Sequence, residues 1–251
     1  MEERRTWEDR EIGRIADMIR EVLEESGADG LVVGVSGGVD SAVSLALCAR
    51  AVGPARVLGL LLPSAVTRDE DMEDARGLCR SLSVPSRTEE IEPVLRAMES
   101  LPGHRDTPYV RGNLMARIRM TLQYRTANLE HRLVCGTSNR SEYLLGYFTK
   151  YGDSAADLQP ILHLYKGEVY RVAAALGIPD RIRSKVPSAG LWAGQSDEGE
   201  IGLSYSGIDA AFASLEAHGW SARTEEEEKV LALMRRTEHK RLPVPSPVRE
   251  G

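Results

Sequence analysis

Ile12, Ile15, Ala16, Ile19, Val22 and Leu23 recur at helical spacing over residues 7–25, and Ser26-Gly27 supplies a stop. The chain is therefore expected to open with an amphipathic helix that covers a core or meets a subunit. Leu31-Val32-Val33-Gly34-Val35 and residues 56–62 are short, apolar, β-branched runs, the pattern of parallel strands buried on both faces. Between them a glycine-rich turn leads into a helix over 41–50, ended by Gly53-Pro54. Thr67-Arg68-Asp69-Glu70 has capping-box spacing and predicts a helix with Met72, Ala75, Leu78, Cys79 and Leu82 on one face. A short strand over 88–91 comes next. A long helix over 110–130 then runs through Leu114, Ile118, Leu122 and Leu129, and a buried strand follows at Leu133-Val134-Cys135. Strand and helix alternate throughout, which predicts an α/β fold: a doubly wound, mostly parallel sheet with helices on both faces.

The texture changes at Tyr147. Residues 147–164 and 179–206 are rich in Gly, Ser, Asp and Pro, with a helix over 166–176 between them, stopped by Gly177 and Pro179. Loops of that length inside one domain are functional or mobile, and these are expected to order over substrates. Glu225-Glu226-Glu227-Glu228 reads as the acidic first turn of a final helix, and the three prolines after Arg241 predict an irregular tail. With no repeat and no linker, residues 1–251 are expected to be a single domain.

Composition narrows the function classes. A net charge of −6 argues against adhesion to nucleic acid or anionic lipid, which needs a basic face. No apolar run approaches the ~20 residues of a membrane span, and Met1-Glu2-Glu3-Arg4-Arg5-Thr6-Trp7 lacks the order of a signal peptide. Cys48, Cys79 and Cys135 form no C-x-x-C pair; they read as buried small hydrophobes in a reducing, cytoplasmic protein. Aromatic residues are only 5%, so aliphatic side chains must build the core. Lysine fills just five of the 32 basic positions (150, 166, 185, 229 and 240), which marks each as a place where a compact ammonium is wanted.

The chemistry is concentrated at Gly34-Val35-Ser36-Gly37-Gly38-Val39-Asp40-Ser41, between a strand and a helix start. Glycines let the backbone approach a bulky anion, and the helix that follows offers unpaired N–H groups and a positive dipole end. No Gly-Lys-Ser/Thr closes the loop, so it is not the Walker type. Asp40 lies inside the cradle instead. A carboxylate beside a polyphosphate is tolerable only across a divalent cation, which predicts a nucleotide held with Mg²⁺.

Ser36–Ser41 resembles the S-G-G-x-D-S signature of the ATP pyrophosphatase (PP-loop) superfamily, whose members adenylate a substrate and release pyrophosphate. Further segments resemble the NAD synthetase family within it. They are Gly112-Asn113 through Ala116-Arg117-Ile118-Arg119-Met120, Gly136-Thr137 through Glu142, and Gly146-Tyr147-Phe148-Thr149-Lys150-Tyr151-Gly152-Asp153 with Asp157. Lys166, Pro187-Ser188-Ala189, Gln195-Ser196-Asp197-Glu198 and His239-Lys240-Arg241 follow in the family's order, so the likeness covers residues 10–243.

The resemblance implies an ammonia-dependent ligase that joins deamido-NAD⁺ to ammonia with ATP, through an acyl-adenylate, giving NAD⁺, AMP and pyrophosphate. It assigns residues 34–41, Thr137, Lys166 and Ser188 to ATP, and Asp40 with Glu142 to Mg²⁺. Asn113, Arg119, Lys150, Asp157, His239 and Lys240 fall to deamido-NAD⁺, and Asp153 to orienting or deprotonating ammonia. Ser188 stands where the family usually has threonine. The residues alone leave other readings open: Glu142 as an exposed helix-start acid, Lys166 as a helix cap, Arg119 as a solvated face and Asp153 as a turn former. His104, His131, His163 and His218 read as isolated. No arrangement for hydrolysing glutamine is visible and no glutaminase domain is expected, so ammonia would arrive free or from a separate glutaminase partner. The family also implies a homodimer, with the first helix and the 110–130 helix as interface elements. Two rivals remain at this stage, another PP-loop amidoligase such as a GMP synthetase relative, and a non-catalytic ATP-binding sensor.

Overall fold

The computed structural model describes residues 6–192 and 194–247. Met1–Arg5, read above for targeting character, lie outside them. Helix α1 (Trp7–Ser26) begins where Thr6 and Asp9 exchange capping bonds and ends at Gly27 in the left-handed conformation. Then come β1 (Gly30–Gly34), α2 (Val39–Val52), β2 (Val57–Leu61), α3 (Asp69–Ser81), β3 (Ser86–Thr88), α4 (Glu92–Glu99) and α5 (Pro108–Leu129). The chain continues through β4 (Arg132–Cys135), α6 (Arg140–Leu145), α7 (Lys166–Ala175), α8 (Asp180–Arg183), α9 (Asp197–Ile201), α10 (Tyr205–Ala217) and α11 (Glu225–Arg236).

The strands form one parallel sheet in the order β3-β2-β1-β4. Alternation along each strand divides the core between the two faces. Leu31, Val33, Val57 and Leu61 pack with α1, α2, α3, α7 and α8. Val32, Leu58, Leu60 and Val134 pack with Ile91, Leu95, Met115 and Ile118 beneath α4 and α5. Gly59 is required on the first face, since a Cβ there would lie 2.8 Å from the Cys79 sulfur. A separate apolar cluster, built on Phe212, Ile208, Leu215 and Val230, joins α10 and α11 to α6.

The predicted doubly wound sheet is present, and all three cysteines are buried and free. No helix among the described residues is long and apolar enough to cross a membrane. Several local expectations are corrected. Thr67 does not cap α3; its hydroxyl accepts the Ser64 amide, and Arg68 takes the N-cap position without a side-chain bond. The strand expected over 88–91 is Ser86–Thr88, an exposed edge strand without an apolar pattern, while Ile91 is buried at the start of α4. The stretch 179–206, read as loop, contains α8 and α9 and reaches into α10. The apolar stripe of α1 is spent on its own chain's core, with Ile12, Ile15, Ile19 and Leu23 all buried, so it presents no apolar face for dimerisation.

Candidate active site

The chain leaves β1 for β2 and β3 on one side and returns to place β4 on the other. A crevice therefore opens at the carboxyl ends of β1 and β4, where the direction of winding reverses. Both loops of interest leave the sheet there. After β1, Gly37 adopts a φ of +83° and runs so close to α3 that a Cβ would lie 2.4 Å from the Asp71 carbonyl oxygen. Gly38 is the N-cap of α2 and offers no side-chain cap, which leaves the first amides of α2 for a ligand. The loop is tied across its base. Ser41 Oγ donates to the Gly38 carbonyl at 3.0 Å and accepts the Ser36 amide at 3.2 Å.

Asp40 in the first turn of α2 meets two residues from other elements. Lys166, the first residue of α7, brings its Nζ to 2.6 Å from Asp40 Oδ2 and 3.0 Å from Glu142 Oε1 on α6. Asn139 caps α6 by accepting the Glu142 amide at 3.0 Å, and its Nδ2 donates to Asp40 Oδ1 at 2.9 Å. Lys166 is nearly inaccessible, and Ser141 Oγ accepts its amide at 2.9 Å. Burial pushes the Glu142 carboxyl up to about 7, with the charge of Asp40 adding to the shift and Lys166 opposing it. Burial alone would lower the Lys166 ammonium; the two carboxylates win and raise it. Glu142 is thus not an exposed helix-start acid, and Lys166 is more than a helix cap. Two carboxylate oxygens converge on one cationic point beside the glycine-rich loop, and hard oxygen donors of this kind suit Mg²⁺.

A network that the sequence reading missed supports this trio. Tyr205 Oη lies 3.2 Å from Glu142 Oε1 and 3.1 Å from Asp197 Oδ2, and the Lys166 ammonium sits 4.9 Å above its ring. Asp197 Oδ1 accepts the Ala189 amide at 3.0 Å and the Tyr147 hydroxyl at 3.2 Å. The Asp197 amide in turn donates to the Pro187 carbonyl at 3.0 Å. Buried Asp197 therefore fixes both neighbours of Ser188, whose own side chain is exposed and accepts the Gly190 amide.

The expected dinucleotide residues gather beyond Glu142. Asn113 on α5 accepts from Thr149 Oγ1 at 2.9 Å. Arg119 donates through Nε to the Leu62 carbonyl at 3.0 Å, and burial lowers its guanidinium to about 10, with Asp153 opposing the shift. A cation in that setting favours an anionic ligand. Arg117, two residues earlier, faces solvent, so Arg119 is not part of the same solvated face. Lys150 Nζ donates to the His239 carbonyl at 2.6 Å, and Lys240 Nζ to the carbonyls of Gly146 and Phe148, both at 2.7 Å. The short turn after α11 is thereby clamped onto the 146–150 loop. Asp153 accepts the Thr149 amide at 2.8 Å, consistent with a turn former as well as a ligand group. Asp157 spends its carboxylate on the Val134 amide (2.7 Å) and the Tyr124 hydroxyl (3.3 Å), holding the end of β4. Thr137 sits half-buried on the loop after β4.

Away from the crevice, His163 pairs with Glu11 at 2.6 Å. His104, read as isolated, lies with Glu99 and Asp106. Arg111 already pairs with Glu99 at 2.9 Å.

Residues 11–244 match the family model described as NAD synthase. A protein named NH(3)-dependent NAD(+) synthetase from Methanoregula boonei is 58% identical over 235 residues, covering 94% of this chain and 95% of the relative. One of the same name from Thermococcus kodakarensis is 46% identical, covering 93% and 95%. Among solved structures, an NH3-dependent NAD synthetase from Campylobacter jejuni superposes with a TM-score of 0.84 at 31% identity, over 98% of this chain and all of that one. An NMN synthetase from Francisella tularensis superposes with a TM-score of 0.88 at 33% identity, over 97% and 99%.

Proposed function

The chain belongs to the NAD synthase family, and from that premise we propose how its residues carry out ATP-dependent amidation of deamido-NAD⁺ by ammonia. A carboxylate is a poor acyl donor at neutral pH, so the nicotinate carboxylate first attacks the α-phosphate of ATP. Pyrophosphate leaves, and ammonia then displaces AMP from the acyl-adenylate to give NAD⁺. Charge develops on phosphate oxygens throughout, so backbone donors and fixed cations are what the site must supply.

Residues 34–41 offer the amides of the glycine-rich loop and the first turn of α2 to the phosphates. Asp40 and Glu142 would hold Mg²⁺, which neutralises phosphate charge when bound. Lys166 keeps those two carboxylates convergent, and with Thr137 and Ser188 it faces the nucleotide. Arg119 supplies a cation for an anionic part of deamido-NAD⁺, with Asn113, Lys150, Asp157, His239 and Lys240 completing that side. Asp153, beside Arg119, is the group for orienting ammonia or taking its proton. The observation that carries the reading is the meeting of Asp40, Glu142 and Lys166 beside the uncapped N-terminus of α2. Neither a GMP synthetase relative nor a sensor is favoured beside relatives of this identity.

The reading extends to context. A cytoplasmic setting is proposed, with ammonia arriving free or from a separate glutaminase. A homodimer is proposed, with α5 as an interface element; sedimentation of an active monomer would overturn it.

Purified protein with ATP, Mg²⁺, ammonium and deamido-NAD⁺ should yield AMP and NAD⁺ in equal amounts, and Asp40→Ala should abolish both. A parallel reaction with nicotinate mononucleotide tests the alternative raised by the Francisella neighbour. Turnover of the mononucleotide alone, or of neither compound, sinks the assignment.

A further inference from the structure

Four of the five lysines lie around the crevice, and three of them already have a place in the reading above. The fourth, Lys185, stands three residues before Ser188 and is largely covered by its neighbours. Its Nζ donates to the Gly37 carbonyl at 3.1 Å and reaches Asp71 Oδ1 at 2.7 Å and Asp74 Oδ2 at 2.6 Å on α3. An ammonium carries three donors, and here each has an acceptor from a different residue. A planar guanidinium fork would not match three acceptors spread in this way.

The Gly37 carbonyl is one edge of the peptide unit that enters the cradle. In a trans peptide the C=O and the following N–H point in opposite directions. Holding the Gly37 oxygen on the α3 side therefore turns the Gly38 N–H away from α3. That amide makes only a long contact, 3.3 Å, with Ser36 Oγ, so a phosphate oxygen can take it over. Gly37, at its positive φ, has no side-chain bulk to steady it. The lysine also sits between two acids of α3, Asp71 and Asp74. Arg68 pairs with Asp71 at 2.9 Å and Arg181 with Asp74 at 2.5 Å, but neither is placed on the loop carbonyl.

We propose that Lys185 is a positioning residue for the phosphate cradle. It holds the Gly37–Gly38 peptide with its N–H presented to a polyphosphate, and it fastens the segment bearing Ser188 to the glycine-rich loop. The proposal rests on residues 34–41 binding phosphate, so its test reads binding directly as well as turnover. Full-length protein carrying Lys185→Met, Lys185→Arg or the exposed-site control Lys229→Met is titrated calorimetrically with MgATP and with pyrophosphate, and KM is measured for both substrates.

Lys185→Met should weaken both titrations by about tenfold or more, the effect of losing one charge-assisted contact at a phosphate site. KM for deamido-NAD⁺ should stay within about twofold. Lys185→Arg should recover only part of the loss, and Lys229→Met should match the parent. If Lys185→Met melts below the assay temperature, Lys185→Gln carries the same expectation. Titrations within about twofold of the parent, or equal weakening toward deamido-NAD⁺ and the phosphates, would overturn the proposal. Failure of the parent protein to bind pyrophosphate at all would take down the phosphate reading of residues 34–41, and this inference with it.

Discussion

The two walls of the crevice are built in different ways. The wall formed by the glycine-rich loop and the Gly136–Glu142 turn grows out of paired strands, and its shape is set by backbone bonds and by α2, which is buried along most of its length. The opposite wall, from Lys185 to Tyr205, contains among its described residues the short helix α9 and the first residue of α10. Side-chain hydrogen bonds hold it: Lys185 to Gly37, Asp197 to the amide of Ala189, Tyr205 to Glu142. The first wall can stand in place before any ligand arrives. The second rests on polar ties that are individually worth about 1 kcal/mol. A ligase that must admit a dinucleotide and then shield an acyl-adenylate from water has use for one wall of each kind.

Three substitutions bear on that contrast. Lys166→Met strikes the first wall hardest. It leaves Asp40 and Glu142 facing each other without a counter-charge, and should cost about 3 kcal/mol in chemical denaturation along with essentially all AMP release. Phe212→Ala opens a void in the helical cluster behind the second wall. It should lower stability by about 3 kcal/mol while leaving pyrophosphate affinity within about twofold; a large loss of pyrophosphate affinity would show the walls are not separable. Tyr205→Phe removes a hydroxyl that joins them. Its expected cost is about 1 kcal/mol in stability, with a severalfold rise in the Mg²⁺ needed for half-maximal turnover. No change in Mg²⁺ requirement would mean that Tyr205 merely packs.

The same contrast explains what could be read before the structure. The first wall was legible because it follows local rules: apolar β-branched runs for β1, β2 and β4, and glycines before a helix start. Asp40 and Glu142 sit in short motifs close to those signals. Edge strand β3 was misplaced because Ser86, Arg87 and Thr88 are exposed and carry no apolar pattern. Helix α4 was overlooked although Glu92-Pro93 is a fair helix start. The second wall was read as loop: Tyr147 and Asp197 stand in family-like segments, but their contacts and those of Tyr205 join residues 8, 50 and 63 apart along the chain, which local spacing does not reveal. The weak signal that existed was lysine scarcity, which singled out Lys185 without saying what it touches.

The burial of α2 has a mechanical side. Ten of its residues lack solvent exposure, and it is gripped by the sheet, α1 and α7. At roughly 1.5 Å per residue it is a rod about 20 Å long, with the glycine-rich loop at its tip. Rotating that rod by a few degrees about its far end would carry the tip about 1 Å, a displacement able to cost about a hundredfold in rate. Leu47 and Cys48, buried well down the shaft, belong to the packing that holds the tip in place, and repacking around them should be felt there.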